Sequence, residues 1–250
     1  MRLSQTPLTK WSQFPLLLII AGLQTPAVSA KTLDFGGHTW TVRADTGGPG
    51  PNTWSEDNAW LDTAGALHLK ISYSNGLWQC AEVYTEDRMG LGEYQFQITG
   101  AIDQLDPNVV LGLFNYPTPD VGADSTNEID IEFARWGNAS YPNGNYTVYP
   151  THNLLQSRSS TFQFALNGDQ TTQRFTWTAS SITFESLVGF TDGSADAFGS
   201  WVFTPRISGA RISRSPMPVH INLWLFDGQG PSNGQPVEIV INAFRFVPGS

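Results

Sequence analysis

The 250 residues contain one cysteine, Cys80, which excludes an internal disulfide and leaves no cysteine near the start of the chain to carry a lipid anchor. Basic residues are also scarce, at 13 Lys plus Arg against 22 Asp plus Glu. Nucleic acid is bound through clustered Lys and Arg, so it is excluded as a partner. The longest apolar stretch, residues 14–23, is too short to span a membrane, and no second hydrophobic segment follows it. The four histidines, His38, His68, His152 and His220, lack the spacing of metal ligands and read as ordinary strand or loop residues. Cys80 sits in an apolar strand with no base close in sequence, so no thiol or serine nucleophile suggests itself. The chain has no internal repeat, low-complexity tail or dividing linker, and after residue 30 its apolar residues do not recur at helical spacing.

Arg2, Lys10, the apolar stretch and Val28-Ser29-Ala30 have the layout of a cleavable secretory signal over residues 1–30. Residues 31–250 then form one domain, which keeps 11 of the 13 basic residues and all 22 acids once Arg2 and Lys10 are removed. The expectation is a secreted monomer, extracellular or periplasmic, with no membrane partner. Nine Trp, 7 Tyr and 15 Phe exceed what a small core needs. Sugar rings stack on exposed aromatic faces, so a neutral ligand is favoured, although most of these aromatics belong to the core.

Alternating or continuous apolar runs bounded by Gly, Pro, Asn and Asp predict a dozen strands, over residues 38–43, 66–73, 78–85, 92–100, 109–116, 128–134, 146–150, 160–166, 173–178, 181–187, 218–226 and 236–246. Strands without crossover helices imply an all-β antiparallel sandwich, in which one sheet can curve into a concave face. Residues 46–52 and 190–200, dense in Gly and other turn formers, read as surface loops. Asn138 and Asn145 head glycosylation sequons that are taken as chance.

Within the sixth of these strands, Glu128, Asp130 and Glu132 share one face while Ile129, Ile131 and Phe133 share the other. Three carboxylates in a row raise one another's pKa and oppose folding unless partners compensate. One reason for such a row is glycoside hydrolysis with retention, which needs an ionised and a protonated carboxyl roughly 5 to 5.5 Å apart. A solvated edge strand would carry the same pattern, so the surroundings have to decide.

Around that strand, in order, stand Glu82, the run Gly90-Leu91-Gly92-Glu93-Tyr94, the aromatics Phe114 and Tyr116, and Asn222-Leu223-Trp224. Together these resemble family 16 of the glycoside hydrolases, in the unbulged E-I-D-I-E version that lichenases and xyloglucan endotransglycosylases use, over most of residues 35–247. The resemblance implies a jelly roll of the concanavalin type, with Glu128 as nucleophile, Glu132 as general acid and base, and Asp130 tuning the pair. It also implies substrate contacts from Glu82, Phe114, Tyr116, Asn222 and Trp224. Trp136, in FARWG, either stacks on a leaving-group sugar or anchors its loop, and Trp54 and Trp60 read as structural.

The implied activity is endo-hydrolysis of a polysaccharide, with β-1,3/1,4-glucan as the leading substrate. A lectin-like binding domain and a transglycosylase are the alternatives. The sequence departs from the family at several points. Tyr84 replaces a substrate-binding Arg, Cys80 lacks the disulfide partner that relatives have, and Asn242 replaces an acid that helps to hold a structural calcium. No metal or cofactor is expected, and Cys80 reads as a buried free thiol.

Overall fold

The computed structural model describes residues 30–249; the signal expected over 1–30 lies almost wholly outside them. Among these residues the strands are β1 (Thr32–Phe35), β2 (His38–Val42), β3 (Thr46–Gly47), β4 (Asn52–Thr53), β5 (Ala59–Leu61), β6 (Leu67–Ser74), β7 (Leu77–Gln79), β8 (Ala81–Thr85) and β9 (Gly92–Thr99). They continue with β10 (Val109–Asn115), β11 (Ile129–Phe133), β12 (Gly144–Val148), β13 (Arg158–Phe162), β14 (Gln170–Trp177), β15 (Ile182–Val188), β16 (Ala197–Phe203), β17 (Val219–Leu225) and β18 (Val237–Pro248). One sheet runs β1-β2-β8-β17-β10-β11-β12-β13 and the other β16-β15-β14-β9-β18-β6-β5, with β7 added to β6. The ladders within both sheets are antiparallel, and the whole is the expected sandwich of the concanavalin jelly-roll type. No helix among the described residues is long and apolar enough to cross a membrane.

The core lies between the sheets, and its largest side chains are aromatic. Trp40, Tyr94, Phe96, Phe133, Tyr146, Phe175, Trp177 and Phe184 are all fully buried, and each such side chain stabilises the fold by roughly 1.5–3 kcal/mol. Tyr146 on β12 crosses to the second sheet, stacking on Phe184 at 4.9 Å and hydrogen-bonding Ser186 at 2.7 Å. On β10 every residue is buried, because one face meets this core and the other forms the floor of a cleft.

Two expectations are corrected. Residues 78–85 are not one strand: the chain breaks at Cys80, so that β7 joins the second sheet and β8 the first. Cys80 bridges to Trp54 there, and its buried thiol donates to Asn52 Oδ1 at 3.3 Å. Burial pushes that thiol up to about 12, which leaves it inert. Residues 190–200 are only partly loop, since β16 starts at Ala197. Its aromatic residues override the turn-forming composition: Phe198 stacks on Phe164 at 4.7 Å and Trp201 on Phe184 at 5.5 Å. Of the two tryptophans read as structural, Trp54 is buried in the core and Trp60 stacks on His68 at 4.9 Å.

The first hairpin turns through Gly36 and Gly37, both at positive φ (60° and 81°), as a two-residue primed turn requires. A Cβ on Gly36 would stand 2.8 Å from the Phe244 carbonyl oxygen of the second sheet, whereas one on Gly37 meets nothing within 4 Å. Gly37→Ala should therefore lose only the left-handed penalty of about 1 kcal/mol, and Gly36→Ala about 2–3 kcal/mol. Urea unfolding of the two variants checks this, and equal losses would contradict the packing account.

Candidate active site

Strand register sets the site. On the exposed side of the first sheet, Glu82, Asn222, Gly112, Glu132 and Asn145 lie in one cross-strand row, on β8, β17, β10, β11 and β12 in turn. Tyr84, His220, Phe114, Asp130 and Thr147 form the next row. Glu128 precedes β11 by one residue, after Asn127 at φ 63°, and its carbonyl accepts from Tyr149 N at 2.9 Å. Ile129, Ile131 and Phe133 point into the core at 0–1% exposure, so the acids are forced to the opposite face.

These rows floor a cleft of about 690 Å³. All nine residues singled out from the sequence line it: Glu82, Phe114, Tyr116, Glu128, Asp130, Glu132, Trp136, Asn222 and Trp224. Trp136 is held at φ 51°, a strained conformation for a bulky residue, with its ring 6.4 Å from Trp224 and edge-on to Phe226 at 5.9 Å. It therefore both faces the cleft and packs against its rim. Asn222 Oδ1 is buried without a hydrogen-bond partner, and Gly112 beside it has no room for a side chain, since a Cβ would come within 2.5 Å of that oxygen. A ligand hydroxyl would satisfy this acceptor.

The carboxyl groups fall into two electrostatic classes. Burial in the cleft pushes Glu128 up to about 8 and Glu132 up to about 7, and it raises Asp130 well above the usual carboxylate range. Mutual repulsion adds to the rise at Glu128 and Asp130, while a hydrogen bond between these two lowers Glu128 and raises Asp130. In that pair Asp130 is the donor and Glu128 the acceptor, which favours ionisation at Glu128 over Asp130. Asn145 Nδ2 donates to Glu132 Oε2 at 3.2 Å and to Thr147 Oγ1 at 2.9 Å. Glu82 behaves oppositely: burial would raise it, but His220 and Arg43 overcome that and hold it below its ordinary value.

Several cleft residues escaped the sequence reading. His220, taken for an ordinary strand residue, lies in the cleft with Nδ1 3.1 Å from Glu82 Oε1. Its position two residues before Asn222, on the same strand face, was the available signal. Arg43 lies over Trp54 at 4.4 Å and donates to Glu82 Oε2 at 3.2 Å. Asn145, read as a chance sequon, is buried beside Glu132. Among the described residues no cluster of three or more His, Cys, Asp or Glu could hold a metal, and Asn242 Oδ1 accepts from Thr99 Oγ1 at 2.8 Å.

No family profile and no curated protein matches the sequence. Solved structures do match the fold. A Bacillus licheniformis β-glucanase superposes with a TM-score of 0.60 at 20% identity, covering 84% of this chain and 92% of its own. A prokaryotic β-1,3-1,4-glucanase (lichenase) from a mouse hindgut metagenome has the same TM-score, 0.60, identity, 20%, and coverage, 84% and 92%. An immunostimulatory antigen of Mycobacterium tuberculosis, described as a pseudo β-1,3-glucanase, superposes at 0.62 with 19% identity over 84% of this chain and 91% of its own. The chain therefore has the glucanase jelly-roll fold.

The buried acids make a prediction about stability. Carboxyls whose pKa is raised on folding hold protons that the unfolded chain gives up near pH 4, so their favourable contribution is complete below that pH and is lost as pH rises toward 7–8. Asp130→Asn removes the most buried member. It should be more stable than wild type by about 2 kcal/mol at pH 8, with the difference vanishing near pH 4. Denaturant unfolding at both values checks this, and a difference independent of pH would refute the assignment.

Proposed function

We propose that residues 31–250 act, after export and removal of residues 1–30, as a retaining endo-glycosidase on a β-linked polysaccharide, with β-1,3/1,4-glucan the leading candidate. The single observation that carries this reading is the carboxyl row Glu128, Asp130 and Glu132, half-buried to buried in one cleft and raised toward neutrality. Folding alone gives no reason to keep three acids there, whereas double displacement needs one carboxyl that can hold a proton near neutral pH beside one that can ionise.

In the proposed mechanism Glu128 attacks the anomeric carbon while Glu132 delivers its proton to the glycosidic oxygen, so the bond to the leaving sugar breaks as the glycosyl-enzyme ester forms. The Glu132 carboxylate then takes a proton from water, whose oxygen attacks the same carbon and releases Glu128. The hydrogen bond from Asp130 favours the carboxylate form of Glu128, the form that attacks. Trp224, Phe114, Tyr116 and Trp136 supply stacking surfaces, and Asn222 Oδ1 is a free acceptor for a sugar hydroxyl.

Two other readings share the cleft. A sugar in place of water in the second step would make the protein a transglycosylase. A binding module without turnover is the other, and a jelly roll of this kind described as a pseudo β-1,3-glucanase keeps it in view.

Assays of wild type and Glu128→Gln on a panel of β-glucans, xyloglucan and galactans distinguish them. The expected result is turnover of at least one polymer by wild type and a loss of about 10²-fold or more in the variant; binding with no turnover in either protein would favour the module. For the active polymer, proton NMR of the first product should show the anomeric configuration of the substrate. An inverted first product would end the double-displacement mechanism.

A further inference from the structure

Glu82 was expected to bind sugar directly, yet both its carboxylate oxygens are occupied. Oε1 pairs with His220 at 3.1 Å and Oε2 with Arg43 at 3.2 Å, and the residue is only 5% exposed. Arg43 is itself committed, donating to Asp45 at 2.7 Å and to the Gly48 carbonyl at 2.8 Å. His220 is less committed, and its side chain is 14% exposed against 7% for Glu82.

The imidazole is clamped on both faces. Tyr84 on one neighbouring strand stacks on it at 5.2 Å and 20°, and Phe114 on the other at 5.1 Å and 30°. A ring so sandwiched can meet a ligand only through its edge. Nδ1 is held by Glu82, and among the described residues no protein group pairs with Nε2. An ionised Glu82 accepts from Nδ1–H, which in the neutral imidazole leaves the lone pair on Nε2.

Resting on the glycosidase reading, we propose that His220 is the sugar-contacting residue of this end of the cleft, accepting a hydroxyl through Nε2, and that Glu82 is a positioning residue that fixes its tautomer and orientation. One strand, β10, lies between His220 and Asp130, which puts the contact roughly 10 Å from the reacting row. His220 thus reads a sugar removed from the scissile bond. The clamp accepts an unsubstituted hydroxyl in the plane of the ring. With Asp45, Glu82 and Asp124 around the cleft and Arg43 neutralised, it disfavours an anionic sugar such as a uronate or sulfate ester.

The test is a double-mutant cycle in the Glu132→Gln background, titrating β-1,3-1,4-glucotetraose and laminaritetraose calorimetrically. Glu82→Gln and His220→Phe, which keeps the stacked ring, should each weaken binding about tenfold. The double variant should also lose about tenfold, not the hundredfold of independent contacts. His220→Gln, whose carboxamide approximates the Nε2 position, should bind better than His220→Asn, whose carboxamide reaches only as far as Nδ1. In otherwise wild-type protein the losses should fall on KM more than on kcat. Thermal melting checks that each variant is folded, and the Gln and Asn pair carries the test if the Phe variant is not.

Additive losses, wild-type binding by His220→Phe, or equal binding by His220→Gln and His220→Asn would overturn the assignment while leaving the glycosidase reading intact. A wild-type protein that neither binds these probes nor cleaves the corresponding polymers overturns the glucan reading and this inference with it.

Discussion

A β-strand has two faces, and β11 uses both to the limit. Ile129, Ile131 and Phe133 are so well buried that the strand cannot rotate or slip by one residue without exposing them. The acids between them are thereby fixed on the cleft side, whatever their own electrostatic preference. Apolar burial worth several kcal/mol holds carboxyls in surroundings they would leave if free to do so. The neighbouring strands then complete the site by register alone, since Gly112, Phe114, Asn145 and Thr147 stand directly opposite the acids.

The two ends of the cleft handle charge differently. Glu82 has a guanidinium and an imidazole for company and stays ionised. Among the described residues, Glu128, Asp130 and Glu132 have no cation within hydrogen-bonding reach, only the carboxamide of Asn145 and one another. Had an arginine been placed beside Glu132, it would have stabilised the anion and removed the capacity to deliver a proton near neutral pH. The absence of compensation at one end and its presence at the other is thus a chemical distinction, made by side chains on adjacent strands of one sheet.

What was legible in the sequence follows from which signals are local. The period-two alternation of residues 128–133 and of Asn222 and Trp224 is visible in the chain itself, and so were the acidic face and much of the aromatic lining. The partition of residues 78–85 between two sheets was not, because a continuous apolar run does not say which partner each half pairs with. The strand at Ala197–Phe203 was hidden by Gly, Ser and Asp, although Phe198 and Trp201 had packing partners far away in sequence. His220 was misread because histidines were weighed for metal spacing when the question was strand register. Its significance comes from Glu82, 138 residues away, and no local pattern reports that pairing.

The same distinction explains how the fold can match glucanases at 17–20% identity while the site still calls for its own chemistry. A sandwich core needs apolar volume at alternating positions, and many sequences supply it. Cleft specificity depends on a handful of side chains whose roles are set by their neighbours. Tyr84, in place of the arginine expected from the resemblance, removes a charge and supplies a flat face. That face is what His220 stacks on, and Glu82 pairs with His220 and Arg43. Three positions on two adjacent strands are therefore linked, and under the proposed assignment the ligand-facing group at that end of the cleft is an imidazole edge and not a carboxylate.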